Sequence, residues 1–440
     1  MNWSQLLSSD RVGKKSQSFE QARSAFEQDY DRIIFSHPFR RLQDKTQVHP
    51  LPEHDFVHTR LTHSLEVSSV GRSLGKKAGE VLLQRHPDLA TRYSLFDIGA
   101  IVAAASLAHD LGNPPFGHAG EDAISDFFRY HPEGKALQQH VSAAEWHDLT
   151  NFEGNAQGFR ILNKNQYGLK LTYATLGAFT KYPCPSYFDG RDKSKRSQKK
   201  FGFFQHEQEI FDDVARHLGL INIQDHVWKR HPLAFLVEAA DDICYSIIDL
   251  EDACVLGLVS MEETVDLLAA ILKDDFKRDK LDRLTGIHQK IGTLRAMAIN
   301  KLILECTAIF LDNEASLLTG TFDVALTDQC PSHEALEAII ALSVKKIYRA
   351  RHVTEIEASG HEVLPGLLHE FVQAGQRTLQ KTSTAKDNNL IRLMPEEIAE
   401  ALRNGACDTG TMLRLVIDFI SGMTDKYAIS LYQRIKGFKI

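Results

Sequence analysis

Apolar residues recur along this chain mostly at helical intervals. Leu61, Leu65, Val70 and Leu74 keep a three-to-four-residue spacing, which predicts a helix with one buried stripe. The run from Ile98 to Ala108 is apolar on nearly every face and predicts a fully buried helix, with Ser94 and Asp97 as a capping box at its start. That helix delivers His109 and Asp110, Pro114 and Pro115 stop it, and a new one is predicted near His118. His231-Pro232 opens another helix, with proline at a permitted first-turn position, running from Leu233 to Asp252. Beyond residue 256 the pattern is helical throughout, for example over Met261 to Leu272, Ala335 to Arg349 and Met412 to Lys436. A short helix is predicted around Phe19 to Tyr30. There is no internal repeat and no convincing sheet; only a short β-hairpin around residues 190–202 has room to form. The pattern predicts an all-α chain.

Composition narrows the class. The 440 residues are 43% hydrophobic and 25% charged, enough for a large core. No apolar run reaches the ~20 residues needed to cross a bilayer, and Met1-Asn-Trp-Ser-Gln-Leu-Leu7 does not read as a secretory signal. No membrane association is therefore expected, and the expected compartment is the cytoplasm. The six cysteines include no CxxC pair, which argues against a disulfide framework or a thiolate zinc site. A net charge of −7 argues against coating nucleic acid through overall charge. The stretch Gly190 to Gly202 holds six basic residues and one acid; it reads as a solvated loop, with nucleic-acid contact as the rarer alternative. No GxxxxGK loop is present, so a nucleotide switch of that type is unsupported.

The candidate chemistry centres on His109-Asp110-Leu-Gly-Asn-Pro-Pro-Phe-Gly-His118-Ala-Gly-Glu121. An adjacent His-Asp pair can give one cation an imidazole and a carboxylate. Standing alone, such a pair is more often a core histidine beside a capping aspartate. His118 and Glu121 lie one turn apart at the positive end of their helix. Arg60 and His63 are three apart and share a face, which suits a further ligand beside a phosphate-binding arginine. Arg40-Arg41 fits either a solvated helix end or a phosphate-facing lip; Asn151 to Gln157 is rich in amides, and Lys181 precedes a turn. Asp241, Tyr245 and Asp249 are spaced four and four and line one helix face. No Lys or Arg lies between Leu233 and Asp252, which favours a cation or ligand as the partner of those carboxylates.

Taken in order, His63, His109-Asp110 and Asp241 match the H…HD…D pattern of HD-domain phosphohydrolases. The chain resembles the deoxynucleoside triphosphate triphosphohydrolases of the dGTPase type through Arg-Leu-Thr-His-Ser-Leu-Glu-Val at 60–67 and the stretch 109–121. Further matches are Asn-Phe-Glu-Gly-Asn-Ala-Gln at 151–157, Phe-Thr-Lys-Tyr-Pro at 179–183, Ala-Asp-Asp-Ile-Cys-Tyr at 240–245 and Ser-Gly-Met-Thr-Asp-Lys-Tyr-Ala at 421–428. The resemblance implies an HD-domain helical core with additional C-terminal helices. It also implies hydrolysis of a deoxynucleoside triphosphate (dNTP) to deoxynucleoside and inorganic triphosphate. One divalent metal per subunit (Mn, Mg, Fe, Co, Ni or Zn) is implied, held by His63, His109, Asp110 and Asp241. His118 and Glu121 are the implied catalytic pair, with Gln47, Arg60, Lys181, Tyr245 and Asp249 on phosphates and sugar. A homo-oligomer, commonly a hexamer, and a nucleotide effector or single-stranded DNA are the implied partners.

These readings divide the chain into residues 1–58 as an N-terminal arm and substrate lip, 59–255 as the metal-dependent core, and 256–440 as a helical region completing the site and the oligomer interface. The rivals are an HD hydrolase of another nucleotide and a non-catalytic, nucleotide- or DNA-responsive regulatory oligomer.

Overall fold

The computed structural model describes residues 1–13, 23–46, 58–405 and 407–438. Helix α1 spans Ala25–Ile34; of the helix expected around Phe19 to Tyr30, residues 19–22 lie outside the described residues. The core pair follows: α2, Arg60–Arg85, and α3, Leu95–Ala108. α3 starts on the Ser94–Asp97 capping box, and from Ile98 onward all but one of its residues are buried. α2 carries Gly71, Gly75 and Gly79 on the side that meets α3. A Cβ on Gly75 would lie 2.9 Å from the Ile98 carbonyl oxygen and 3.0 Å from the Gly99 Cα, so the two backbones touch directly. α4, Gly117–Tyr130, follows the double proline, and α5, Gly154–Asn163, begins inside the amide-rich segment.

The only paired strands among the described residues are β1, Asn222–Gln224, and β2, Val227–Trp228, antiparallel, with Asn222 opposite Trp228. The hairpin therefore lies beyond the basic stretch where it was expected. That stretch is instead folded down by Arg191, which donates to the Ser186 and Gln198 carbonyls, and by Arg196, paired with Glu238 at 3.0 Å. The long apolar helix α6, Pro232–Val255, comes next, then α7, Met261–Leu272, α8, Ile287–Asp312, and α9, His333–Lys346. The last long element is α10, Arg351–Leu379. The expected single helix over Met412 to Lys436 is two: α11, Thr409–Ser421, and α12, Asp425–Ile435. Gly422 ends the first, and the Thr424 hydroxyl caps the second by accepting from the Tyr427 N–H.

Two hydrophobic clusters result. One gathers α2, α3, α6 and α8 around Leu74, Ile101, Leu236 and Phe310. The other packs α4 against α10 and α11 through Phe127, Leu368, Phe371 and Val416. Each fully buried large side chain contributes ~1.5–3 kcal/mol of transfer free energy, so both clusters are stable platforms. The turn from His109 to Phe116 crosses from one to the other: Leu111 belongs to the first and Phe116 to the second.

Candidate active site

The N-terminal turn of α2 reverses the usual burial pattern. Arg60, His63 and Ser64 are buried, while Leu61 and Leu65 are only half-buried. The apolar stripe begins in earnest at Val67, because the start of the helix faces a cavity of 650 Å³. His63, His109 and Asp110 place one ligand atom each within 4.8 Å of one another. Asp241 faces them from α6, its Oδ1 3.4 Å from both His63 Nε2 and His109 Nε2. His109 Nδ1 donates to the Ser106 carbonyl at 2.7 Å, which fixes the ring and leaves Nε2 for the cavity.

Each carboxylate of this group is shared between the centre and a cation. Asp110 Oδ2 accepts from Arg60 Nη1 at 2.8 Å, and Asp241 Oδ2 from Lys181 Nζ at 2.6 Å. Burial opposes both charges, yet His109, Arg60 and His63 hold Asp110 below the usual carboxylate range. Lys181, His109 and His63 do the same for Asp241. Burial pushes His109 down, toward the neutral imidazole; His63 is pushed up against burial by its bond to Asp241. Two imidazoles and two inward-facing carboxylate oxygens, with His109 braced from behind, fit a divalent cation that accepts mixed N/O ligands.

The second constellation sits on the first turn of α4. Phe116, its N-cap, is left-handed (φ 66°), a conformation that costs a non-glycine residue ~1–2 kcal/mol. Among the described residues no side chain caps this helix start. His118 projects into the cavity with its side chain 81% exposed, and its Nδ1 donates to Glu121 Oε2 at 2.7 Å. Glu121 is buried, and its Oε1 accepts from the Gly154 N–H at 2.7 Å. Burial disfavours its charge, but His118 and Lys200 hold its carboxyl down.

The remaining expected site residues are placed unevenly. Arg60, Lys181 and Tyr245 line the cavity with the ligand set, and the Tyr245 ring stacks on Tyr348 at 5.6 Å. Asp249 lies behind that pair rather than on the wall, where its Oδ2 accepts from the Tyr348 hydroxyl at 2.7 Å. Burial pushes its carboxyl up to about 7. Gln47 lies outside the described residues. Arg40 and Arg41 are exposed and away from the cavity, and Arg41 donates to the Gly422 carbonyl. Of the amide-rich segment, Asn155 reaches the cavity, whereas Gln157 donates to Asp418 and Asn151 to the His147 carbonyl.

Sequence reasoning missed several cavity residues. Tyr348 and Glu357 come from the C-terminal region, and nothing local in the sequence marks them. Lys199 and Lys200 end the basic stretch and reach the site, whereas Lys193 and Lys195 are exposed as a solvated loop would have them. The aromatic residues just after Lys200 were the available signal: Phe201, Phe203 and Phe204 are all buried and anchor that end.

Residues 329–434 match the family described as phosphohydrolase-associated domain. Over its whole length the chain is 42% identical to a Synechocystis protein named deoxyguanosinetriphosphate triphosphohydrolase-like protein, covering 100% of each. A Pseudomonas aeruginosa protein of the same name is 39% identical, with 99% of each covered. The deoxyguanosinetriphosphate triphosphohydrolase of Yersinia enterocolitica is 32% identical, with 93% of each covered. With full-length identity at this level, with the matched C-terminal domain and with an HD-type ligand set at the head of its cavity, the chain belongs to the deoxyguanosinetriphosphate triphosphohydrolase family of hydrolases.

Proposed function

We propose that this protein hydrolyses dNTPs, dGTP among them, to deoxynucleoside and inorganic triphosphate, with one divalent cation held by His63, His109, Asp110 and Asp241. The observation that carries the reading is convergence in one cavity. An N/O ligand set, two buried cationic side chains and a histidine–carboxylate pair meet on its walls. A cation bound there supplies Lewis-acid polarisation of phosphorus and acidifies water; Mn, Mg, Fe, Co, Ni and Zn all suit the donors. Phosphoryl transfer then asks mainly for positioning and charge neutralisation. Arg60 and Lys181 take phosphate oxygens: both are buried, and Arg60 keeps an Nε–H with no partner among the described residues. Glu121 holds His118 in the Nδ1–H tautomer, so that Nε2 moves a proton at the reacting oxygens. Tyr245, one helical turn or about 6 Å beyond Asp241, forms the sugar wall; Asp249 behind it acts on the 3′-hydroxyl through the Tyr348 hydroxyl that it accepts from, and Gln47 reads the sugar from the lip.

In this reading residues 1–58 are the lip, 59–255 the metal-dependent core, and 256–440 complete the site; Tyr348, Val353, Ile356 and Glu357 on the cavity wall support the last assignment. The protein works as a homo-oligomer, a hexamer by resemblance, in the cytoplasm, where it controls dNTP pools and answers to a nucleotide effector or single-stranded DNA. Among the described residues no helix is long and apolar enough to cross a membrane. The test is turnover of four dNTPs and four NTPs with several metals in oxygen-18 water. Labelled triphosphate as first product is expected; orthophosphate or pyrophosphate would overturn the reading.

A further inference from the structure

The Gly-Met-Thr-Asp-Lys turn between α11 and α12 does not reach the cavity, yet it is tied to the loop that builds it. Asp425, the first residue of α12, is 1% exposed. Its Oδ1 accepts from the backbone N–H of Phe116 at 3.0 Å, and its Oδ2 from that of Thr46 at 2.9 Å. Lys45, 4% exposed, runs alongside and donates through Nζ to the carbonyls of Asn113 at 2.5 Å and Ser421 at 2.8 Å. Asn113 in turn donates from its side chain to Asp110 Oδ1 at 2.5 Å. An acidic and a basic side chain thus pin both ends of the segment Asn113–Phe116 to the end of α11 and the start of α12.

The pinned position is the one that needs it. Phe116 is left-handed, stands two residues before His118, and caps α4 without a side-chain hydrogen bond. A strained residue persists only where its surroundings over-determine it. Here the ring is held by α10, where a Cβ on Gly360 would lie 3.0 Å from Phe116 Cγ, and the backbone is held by Asp425. Release of the N–H would let Phe116 relax toward ordinary backbone angles and rotate the first turn of α4, which carries His118. The negative charge of Asp425 also sits at the N-terminus of its own helix, where it is favoured, so the clamp's charge is partly met within α12.

We propose that Asp425, with Lys45 beside it, is a positioning residue: it fixes the Phe116–Gly117 turn and thereby the place of His118, so that the C-terminal region governs proton transfer from outside the cavity. The inference rests on the reading of His118 as the proton-moving group.

The test uses the full chain and Asp425→Asn, which preserves size and one acceptor oxygen but turns an amide NH2 toward one of the two N–H groups. Lys45→Met is the companion variant should Asp425→Asn fold poorly. The expected result is a kcat for dGTP lowered at least about tenfold, KM within about twofold and bound metal per subunit unchanged, the pattern of a contact that matters in the transition state. In a His118→Ala background, assayed by single turnover, the same substitution adds no further loss, because the group it positions is gone. A merely structural role would give the same fractional loss in both backgrounds, and that additive outcome overturns the proposal. So does a kcat within twofold of wild type, or a change confined to KM. Amide hydrogen exchange reads the clamp without any turnover: residues 116–121 should exchange at least about tenfold faster in Asp425→Asn while α7 is unchanged. If the wild type fails to hydrolyse dNTPs but this exchange difference holds, the functional reading has failed and the clamp has not; unchanged exchange sinks the clamp itself.

Discussion

Glutamine at position 121 separates the charge of the His118 partner from its shape. Glu121 Oε1 accepts from the Gly154 N–H at 2.7 Å, and Oε2 accepts from His118 Nδ1 at 2.7 Å. Because an N–H can only donate, the glutamine oxygen must stay on Gly154, and its NH2 must face His118. Nδ1 then becomes the acceptor, and the neutral ring carries its proton on Nε2, the wrong tautomer for taking one from the cavity. A hydrogen bond to a charged group is worth ~1.5–3 kcal/mol, which at 1.4 kcal/mol per decade is about 10- to 150-fold. Adding the tautomer, kcat for dGTP should fall by about two to four decades, the range typical of lost acid–base catalysis. KM should move little, since Glu121 is not on the cavity wall. Steady-state kinetics on metal-loaded protein, beside His118→Ala, is the assay. A Glu121→Gln kcat within about threefold of wild type, with His118→Ala decades slower, would mean that Glu121 does not set the tautomer.

Three further outcomes are expected. Asp241→Asn should lower bound metal and abolish turnover without unfolding the chain, checked by elemental analysis and calorimetry. Asparagine is preferred to alanine because stripping the partner of buried Lys181 alone costs ~3–5 kcal/mol, and full activity in the variant removes Asp241 from the site. Tyr245→Ala should narrow a dNTP-over-NTP preference that is tens-fold or more in the wild type, since a buried unsatisfied hydroxyl costs ~1–3 kcal/mol; an unchanged ratio moves the sugar elsewhere. His58 is pushed up to about 10: burial opposes its charge, but Asp252 at 2.7 Å and Glu66 at 3.2 Å outweigh it. Its folded value lies above the ordinary 6.5, so its stabilisation is fully present below pH 6.5 and lost as pH rises through about 10. The melting-temperature gap between wild type and His58→Gln should therefore shrink from pH 6 to pH 10, and a constant gap would show that the pair contributes no charge-dependent stability.

The sequence disclosed what is local and periodic. The Ser94–Asp97 cap, the buried run behind His109 and the one-face spacing of Asp241, Tyr245 and Asp249 all stand in the fold where their pattern put them. Periodicity misled where it outran a break: Val416, Ile420, Tyr427 and Leu431 keep one rhythm across Gly422-Met-Thr, whose caps lack the Ser/Thr-x-x-Glu signature. It also misled at the site. In the first turn of α2, polar residues are inside and leucines half outside, because that turn faces the polar cavity rather than the apolar core. Tyr348 and Lys45 were illegible, and Asp425 was marked only as part of the 421–428 stretch, because their roles depend on partners 99, 68 and 309 positions away.

The glycine ladder of α2 sets a mechanical tolerance for the whole site. His63 and His109 ride on two helices whose spacing is gauged by main chain against main chain, a contact with no rotamers to yield. Gly71 meets a side chain instead: a Cβ there would lie 2.4 Å from the Oγ of Ser106, the residue whose carbonyl holds His109. Repacking elsewhere in the core can therefore drift without changing the distance between the two imidazoles. A single methyl group at Gly75 acts instead as a wedge, and α2 passes its thickness along a rigid lever to His63 near its tip.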